Sequence, residues 1–214
     1  MTRLSALMLV TLLTLPAWAG AQSIAALPGH YFHHMGELAY KREDYRNART
    51  LFERSAHWGD KLSQFNLGVI HYQGQGVPVN KPMAWAWFAV SAERRYARME
   101  KTASMVWQEL DAAGRAEAER LYEDLLARYG DAVAVPRAER RMERERRNVT
   151  GSRTGMVGNL VVIDPGTGQS WDGTRFYDPK FFDFAGLMER EAILMDAIDR
   201  GRVELRELEL KDDD

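Results

Sequence analysis

The sequence predicts a mainly α protein, an α-solenoid of helix–loop–helix units with a small β-hairpin-plus-helix extension at its C-terminal end. Three observations predict it. Between Gly59 and Ala92 the apolar residues fall at helical spacing on both sides of a loop holding Gly74 and Gly76. Part of that unit occurs twice: a shift of 36 residues lays Ala48, Phe52, Ser55 and Ala56 over Ala84, Phe88, Ser91 and Ala92, and a shift of 32 lays Gly36 and Tyr40 over Gly68 and Tyr72. The difference matches an insertion at 74–77, absent from the first copy. Beyond Gly158 the pattern changes to a short β-prone run, Leu160 to Ile163, stopped by the turn signal Asp164-Pro165-Gly166-Thr167-Gly168. Paired helices that recur every 32 to 36 residues bury their apolar faces against one another, which is the logic of a solenoid.

Residues 1–21 read as a secretory signal peptide: Arg3, an apolar run from Leu4 to Leu15, Pro16, then small-x-small sites with cleavage expected after Ala21. The run is shorter than the roughly 20 residues of a membrane span. A repeat domain is expected over 28–129. Its first unit (31–59) has helices near 31–41 and 44–57, and its second (60–95) has helices near 61–73 and 81–94. A helix pair over 97–129 matches the repeat poorly and is read as the terminal cap, with Met99, Met105, Val106, Trp107 and Leu110 on one helix and Ala118, Leu121, Tyr122, Leu125 and Leu126 on the other. Gly130 closes that pair. Pro136 is expected to separate it from the charged run Arg137–Arg147, which lacks an apolar stripe and reads as a solvated helix or linker over 130–153. Residues 154–214 form the extension: a strand over Leu160 to Ile163, a second supplied by Ser170-Trp171-Asp172-Gly173 and Arg175-Phe176-Tyr177, then a helix capped by Asp183 with Phe184, Leu187, Met188, Met195 and Ile198 on one face, ended by Gly201.

The glycines and aromatics have structural work. Gly36 and Gly68 sit inside helices, where glycine costs about 1 kcal/mol relative to alanine; such a position implies close approach of another backbone. Ala48, Ala56, Ala84 and Ala92 serve the same packing, and Phe52, Trp87 and Phe88 fill the space between helix pairs. Gly74 and Gly76 permit positive φ, and Asn80 caps a helix ahead of Pro82.

On these residues the chain resembles the Sel1-like repeats, relatives of tetratricopeptide repeats. The pattern is Leu67-Gly68, Tyr72, Gly74-Gln75-Gly76-Val77, Ala84, Trp87 and Ser91-Ala92 in the second copy, and Gly36, Tyr40, Ala48, Phe52, Ser55-Ala56 and Gly59 in the first. Arg95 stands where the closing glycine of the second copy would be. The resemblance implies a binding role for the concave surface, lined by the first helix of each pair. Side chains there that the pattern does not use are His34, Glu37, Gln64 and His71, the expected contact residues. Cysteine-bridged exported members are discussed as penicillin-binding or β-lactamase-like; this chain has no cysteine and lacks their framework, and a lipid anchor on cysteine is excluded.

Without residues 1–21 the formal charge is −3, with a local +4 over 137–153 and −3 over 201–214. That balance gives no field for a polyanion, and Glu dilutes the basic run without interleaved aromatics, so no nucleic-acid partner is expected. His30, His33 and His34 are clustered, with His57 and His71 elsewhere, but no cysteine or matched carboxylate motif completes a metal site. Asp164-x-Gly-x-Gly lacks calcium-loop spacing, and Gly166-Thr167-Gly168 lacks the lysine of a phosphate loop. Asn148-Val149-Thr150 fits a glycosylation sequon that carries little meaning behind a bacterial-style signal.

The expected function is non-catalytic: a periplasmic or secreted scaffold holding a protein or peptide partner of the cell envelope, with no cofactor, no metal and no transmembrane segment after cleavage. Two alternatives stay open. One is an envelope enzyme acting through Trp171, Asp172, Tyr177 and Asp178, which would show a pair of buried carboxylates at a cleft. The other is a metal-handling protein, which would bring three histidine nitrogens together.

Overall fold

The computed structural model describes residues 28–147, 161–163, 170–172 and 184–199. The chain is mostly helical: α1 (His30–Lys41), α2 (Tyr45–Ala56), α3 (Lys61–Gln73), α4 (Lys81–Ser91) with a 3-10 turn over Ala92–Arg94, α5 (Ala97–Gln108), α6 (Ala112–Tyr129), α7 (Asp131–Arg147) and α8 (Phe184–Asp199). Val161–Ile163 (β1) and Ser170–Asp172 (β2) pair antiparallel, Val162 opposite Trp171. The expected signal peptide, the sequon, the 164–168 turn, Tyr177, Asp178, Asp183 and Gly201 lie outside the described residues, as do the side chains of Trp171, Asp172, Leu187 and Ile198.

Four helix starts have a local cause in a side-chain cap. Asp44, Asp60, Asn80 and Asp111 are N-caps whose side chains accept from the amides of Asn47, Ser63, Met83 and Gly114. Pro82 occupies the first turn of α4, where its missing N–H is harmless. Gly74 ends α3 at φ 70°, and Gly76 repeats that conformation.

Within each repeat, the glycine of the first helix receives the phenylalanine of the second. A Cβ on Gly36 would lie 2.7 Å from the Phe52 ring, and one on Gly68 would lie 2.6 Å from the Phe88 ring. The close neighbour is therefore an aromatic face, and not the backbone expected from sequence. It also places Phe52 and Phe88 inside their own pairs, while Trp87 faces the next unit and meets Tyr129 at 4.9 Å between ring centroids. The repeat tyrosines bridge units: Tyr40 Oη donates to Gln75 Oε1 at 2.6 Å and Tyr72 Oη donates to Glu109 Oε1 at 2.9 Å.

The core runs continuously through the repeats. Ala39, Ala48, Phe52, Ala56, Leu67, Ile70, Trp87, Val90 and Leu125 are buried together. Ala103 and Val106 of α5 join Val69, Ala84 and Phe88. Met105, expected on the apolar side of α5, is 52% exposed instead.

Two further expectations are corrected. Pro136 does not break the chain's path, because α7 begins at Asp131 and continues through it. The proline removes the bond its nitrogen would give to the Ala132 carbonyl, and Ala132 is exposed, which leaves that carbonyl open to solvent. Nor is the charged run without an apolar stripe. Ala134, Ala138 and Met142, spaced by four, are all buried, and the last two meet Phe184. Alanine carries little hydropathy, so arginine and glutamate on the other faces hid the stripe.

Arg95 takes the place of the closing glycine and its conformation too, with φ 58° against 81° at Gly59. A left-handed backbone costs a residue with a Cβ about 1 kcal/mol. The side chain is 87% exposed and its carboxylate neighbour lies 3.9 Å away, a negligible pairing. Arg95→Gly is expected to raise stability by about 1 kcal/mol in urea melts; an equal or lower midpoint would show that the turn is not strained.

Candidate functional site

The junction between the two repeats holds a chain of buried ions. Lys61 follows the N-cap of α3, and only 1% of it is exposed. Its Nζ donates to Glu93 Oε2 at 2.6 Å, Val90 O at 3.0 Å and Gln64 Oε1 at 3.1 Å, and lies 3.1 Å from Asp131 Oδ1. Such a burial is tolerated because every ammonium proton meets an oxygen.

Arg94 sits at the end of the 3-10 turn and collects a second set of acceptors. Its Nε and Nη2 donate to the two oxygens of Asp131, both at 2.9 Å, and Nη2 also donates to Gly59 O at 3.0 Å. The remaining nitrogen, Nη1, donates to Glu191 Oε1 of α8 at 2.7 Å, and Tyr96 Oη donates to the same oxygen at 3.0 Å. The two-pronged contact with Asp131 fixes the guanidinium plane. Burial pushes the Glu191 carboxyl up against the pull of Arg94, whereas Asp131, despite burial, is lowered by Arg94 and Lys61.

A third group surrounds His33. Its Nδ1 is 2.9 Å from Ser63 Oγ and 3.3 Å from Asp60 Oδ1, and its Nε2 is 3.6 Å from Glu37 Oε1. Burial by itself would lower the imidazole; the Asp60 carboxylate, with Glu37, outweighs burial and raises it to about 10. Asp60 is held well below the usual carboxylate range: burial opposes this, while His33 and the Ser63 amide enforce it. The signs give separate pH windows. The His33 contribution is complete below its unfolded pKa of about 6.5 and fades as pH rises toward 10. The Asp60 contribution is complete above about 4 and is lost as pH falls below that. Thermal melts between pH 6.5 and 10 should therefore fall more steeply for the natural chain than for His33→Gln; parallel curves would dissociate His33 from the pH response.

Asp60, Arg94 and Glu191 line one small cavity with Gly29, Trp58, Gly59, Phe184 and Met188. Two carboxylates pushed in opposite directions are the arrangement acid–base chemistry uses. Here each is committed elsewhere, Asp60 to His33 and the Ser63 amide, Glu191 to Arg94 and Tyr96. The cavity has space for about one water molecule and none for a substrate.

The sequence-predicted contact residues divide. His34, Glu37 and His71 are half-buried on the first helices of the two pairs. Burial and the nearby Arg49 lower His71 to about 4, so it is neutral at pH 7. Gln64 is not a groove residue. It is wholly buried, accepts from Lys61, and donates to Tyr129 O at 3.0 Å. The resemblance put it on the open face; the Lys61 ammonium and the Tyr129 carbonyl hold it inside instead. The histidine cluster does not converge either: His33 turns into the Asp60–Ser63 pocket, and His57 Nδ1 faces Arg137. Among the described residues, no three His, Cys, Asp or Glu side chains are grouped to hold a metal ion.

Sequence reasoning missed Lys61, Arg94, Asp131 and Glu191. One signal was present, since positions 61, 64 and 68 share a helix face with the buried Gly68. The partners of Arg94 lie 37 and 97 residues away, beyond any local pattern.

The Sel1 repeat family model matches residues 21–60 and 61–96. HcpC of Helicobacter pylori, whose name carries a candidate beta-lactamase designation, is 42% identical over 43 residues in one strain and 39% over 46 in another. Those matches cover 20% and 22% of this chain but only 15% and 16% of HcpC. Among solved structures, c5321, a protective antigen of uropathogenic Escherichia coli strains with an SLR fold, aligns over 62% of this chain and 27% of that one, at 20% identity and a TM-score of 0.46. With a glycine–phenylalanine pair in each unit, tyrosines bridging to the next, and both units matched by the family model, residues 21–96 carry two Sel1 repeats.

Proposed function

We propose that this chain is a non-catalytic scaffold of the bacterial envelope, periplasmic or secreted, that holds a protein or peptide partner on the first helices of its repeats. The observation that carries this reading is the contrast between the two kinds of polar residue on those helices. Lys61, Gln64 and Ser63 are buried in the packing, whereas His34, Glu37 and His71 stay half-open along the same helices. Sel1 repeats generally mediate protein interactions, and stacked helix pairs provide an extended surface for one. The envelope location rests on the signal-like residues 1–21; no helix among the described residues is long and apolar enough to cross a membrane. In this reading residues 154–214 are an α+β extension of the solenoid, comprising β1, β2 and α8. The beta-lactamase designation belongs to HcpC and is not proposed here.

The test is crosslinking in the native envelope, identification of the captured protein, and titration of the purified pair. His34→Ala with His71→Ala should weaken binding at least tenfold, about 1.4 kcal/mol, while helicity and melting stay close to the natural chain. If the double variant binds normally and deletion of 154–214 abolishes binding, the extension carries the function and the scaffold reading of α1 and α3 fails.

A further inference from the structure

Helix α8 meets the solenoid through a single line of side chains. Phe184, Met188, Glu191 and Met195 recur at offsets of four, three and four, one face of a helix. Phe184 is buried against Ala138 and Met142 of α7, with Trp58 beside it. Met195 is buried against Tyr96 and Met99, flanked by Leu62 and Phe65 of α3. Between them Glu191 receives the hydrogens of Arg94 and Tyr96. Ile193 is 62% exposed, and Glu189 and Ala192 are exposed as well.

The receiving surface is built without α8. Asp131 holds Arg94 by two hydrogen bonds, Gly59 O holds it by a third, and Lys61 and Glu93 hold Asp131 in turn. Only Nη1 and the Tyr96 hydroxyl remain for an incoming group, and both converge on one carboxylate oxygen. A preorganised pair of donors between two apolar patches binds a matching helix with little ordering cost. It is also selective, because a helix lacking the carboxylate would leave a buried guanidinium nitrogen without an acceptor. By contrast, the ion pair adds little net stability, since desolvation offsets much of its attraction.

We propose that this seam is a helix-binding site: α8 occupies it in cis, and a partner's amphipathic helix with the same order of groups takes it in trans. That order is a large apolar residue, an apolar residue four on, a carboxylate seven on and an apolar residue eleven on. The patch takes in α7, the end of the 3-10 turn, the start of α5 and Leu62 and Phe65 of α3; because α3 is one of the helices the scaffold reading gives to the partner, the inference rests on that reading and specifies its partner's chemistry. Helix α8 then acts as an internal competitor that sets the affinity for that partner.

The experiment uses the full chain with Glu191→Lys and Met195→Asp to release α8, and a labelled synthetic peptide of residues 181–199 as the probe. The released chain should bind the peptide at least tenfold tighter than the natural chain does, and a peptide carrying Glu191→Lys should not bind. Tyr96→Phe in the released chain should weaken the peptide severalfold. Hydrogen exchange on the natural chain gives a second reading, in which α8 amides open well before those of α3 and α4. A released chain that melts normally yet ignores the peptide overturns the proposal. So does a released chain that no longer folds, or α8 amides that exchange only with the whole solenoid, because α8 would then be a structural cap. If the captured envelope partner binds natural and released chains equally, the scaffold reading stands and the α8 inference falls.

Discussion

Gly68→Leu is expected to cost the solenoid at least about 3 kcal/mol. A Cβ at this position would lie 2.6 Å from two atoms of the Phe88 ring, and both residues are buried. The leucine has no direction in which to turn, so either the ring leaves its position or α3 and α4 separate. Overpacking of a filled core costs about 1–3 kcal/mol and sometimes more. The roughly 1 kcal/mol of helix propensity gained over glycine does not offset that here. Phe88→Ala costs a similar amount alone, but the double variant should be less damaged than the two single losses added together, because the leucine enters the space the ring vacates. Urea melts of the four proteins check this. An unchanged midpoint for Gly68→Leu would mean that the helices are not packed as described.

Lys61→Met should lower stability by about 3 kcal/mol. Methionine fills nearly the same volume, so packing is retained and the loss reports on charge. Without the ammonium, Glu93 loses its cation, Asp131 keeps only Arg94, and Gln64 Oε1 and Val90 O lose a donor in the core. Breaking a buried pair from one side typically costs about 3–5 kcal/mol; the partial exposure of Glu93 and Asp131 places this case at the lower end. Lys81→Met is the control. Lys81 Nζ meets Glu109 at a similar 2.8 Å, but its side chain is 45% exposed, so its removal should change stability by no more than about 0.5 kcal/mol. Equal losses for the two lysines would show that burial of Lys61 contributes nothing.

The repeat was legible because its physics is local. Glycines at 36 and 68, phenylalanines at 52 and 88, and the caps at 44, 60, 80 and 111 interact within one helix pair or one turn, so periodicity and turn chemistry locate them without distant information. The helix starts at Lys61 and Lys81 follow from caps and hydropathy in the same way. Arg95 is instructive for the opposite reason: the turn shape is dictated by the packing of α4 and α5, and the backbone accepts a left-handed arginine because the surrounding helices determine it.

What the sequence by itself determined is the unit: two helices, a glycine in the first that requires a close neighbour, and a tyrosine that recurs with it; that the neighbour is a ring and that the tyrosine bonds to the next unit came from the tertiary structure. What only the tertiary structure decided is the inside of the junction between units. Gln64 looked like an open polar residue until the Tyr129 carbonyl and the Lys61 ammonium, one of them 65 residues away, drew it into the core. Arg94, Asp131 and Glu191 come from three separate helical segments, and nothing in their neighbours marks them as partners. An ion is buried only where oppositely charged groups converge in space, and convergence over tens of residues is a property of how helices pack, not of the period with which their side chains recur.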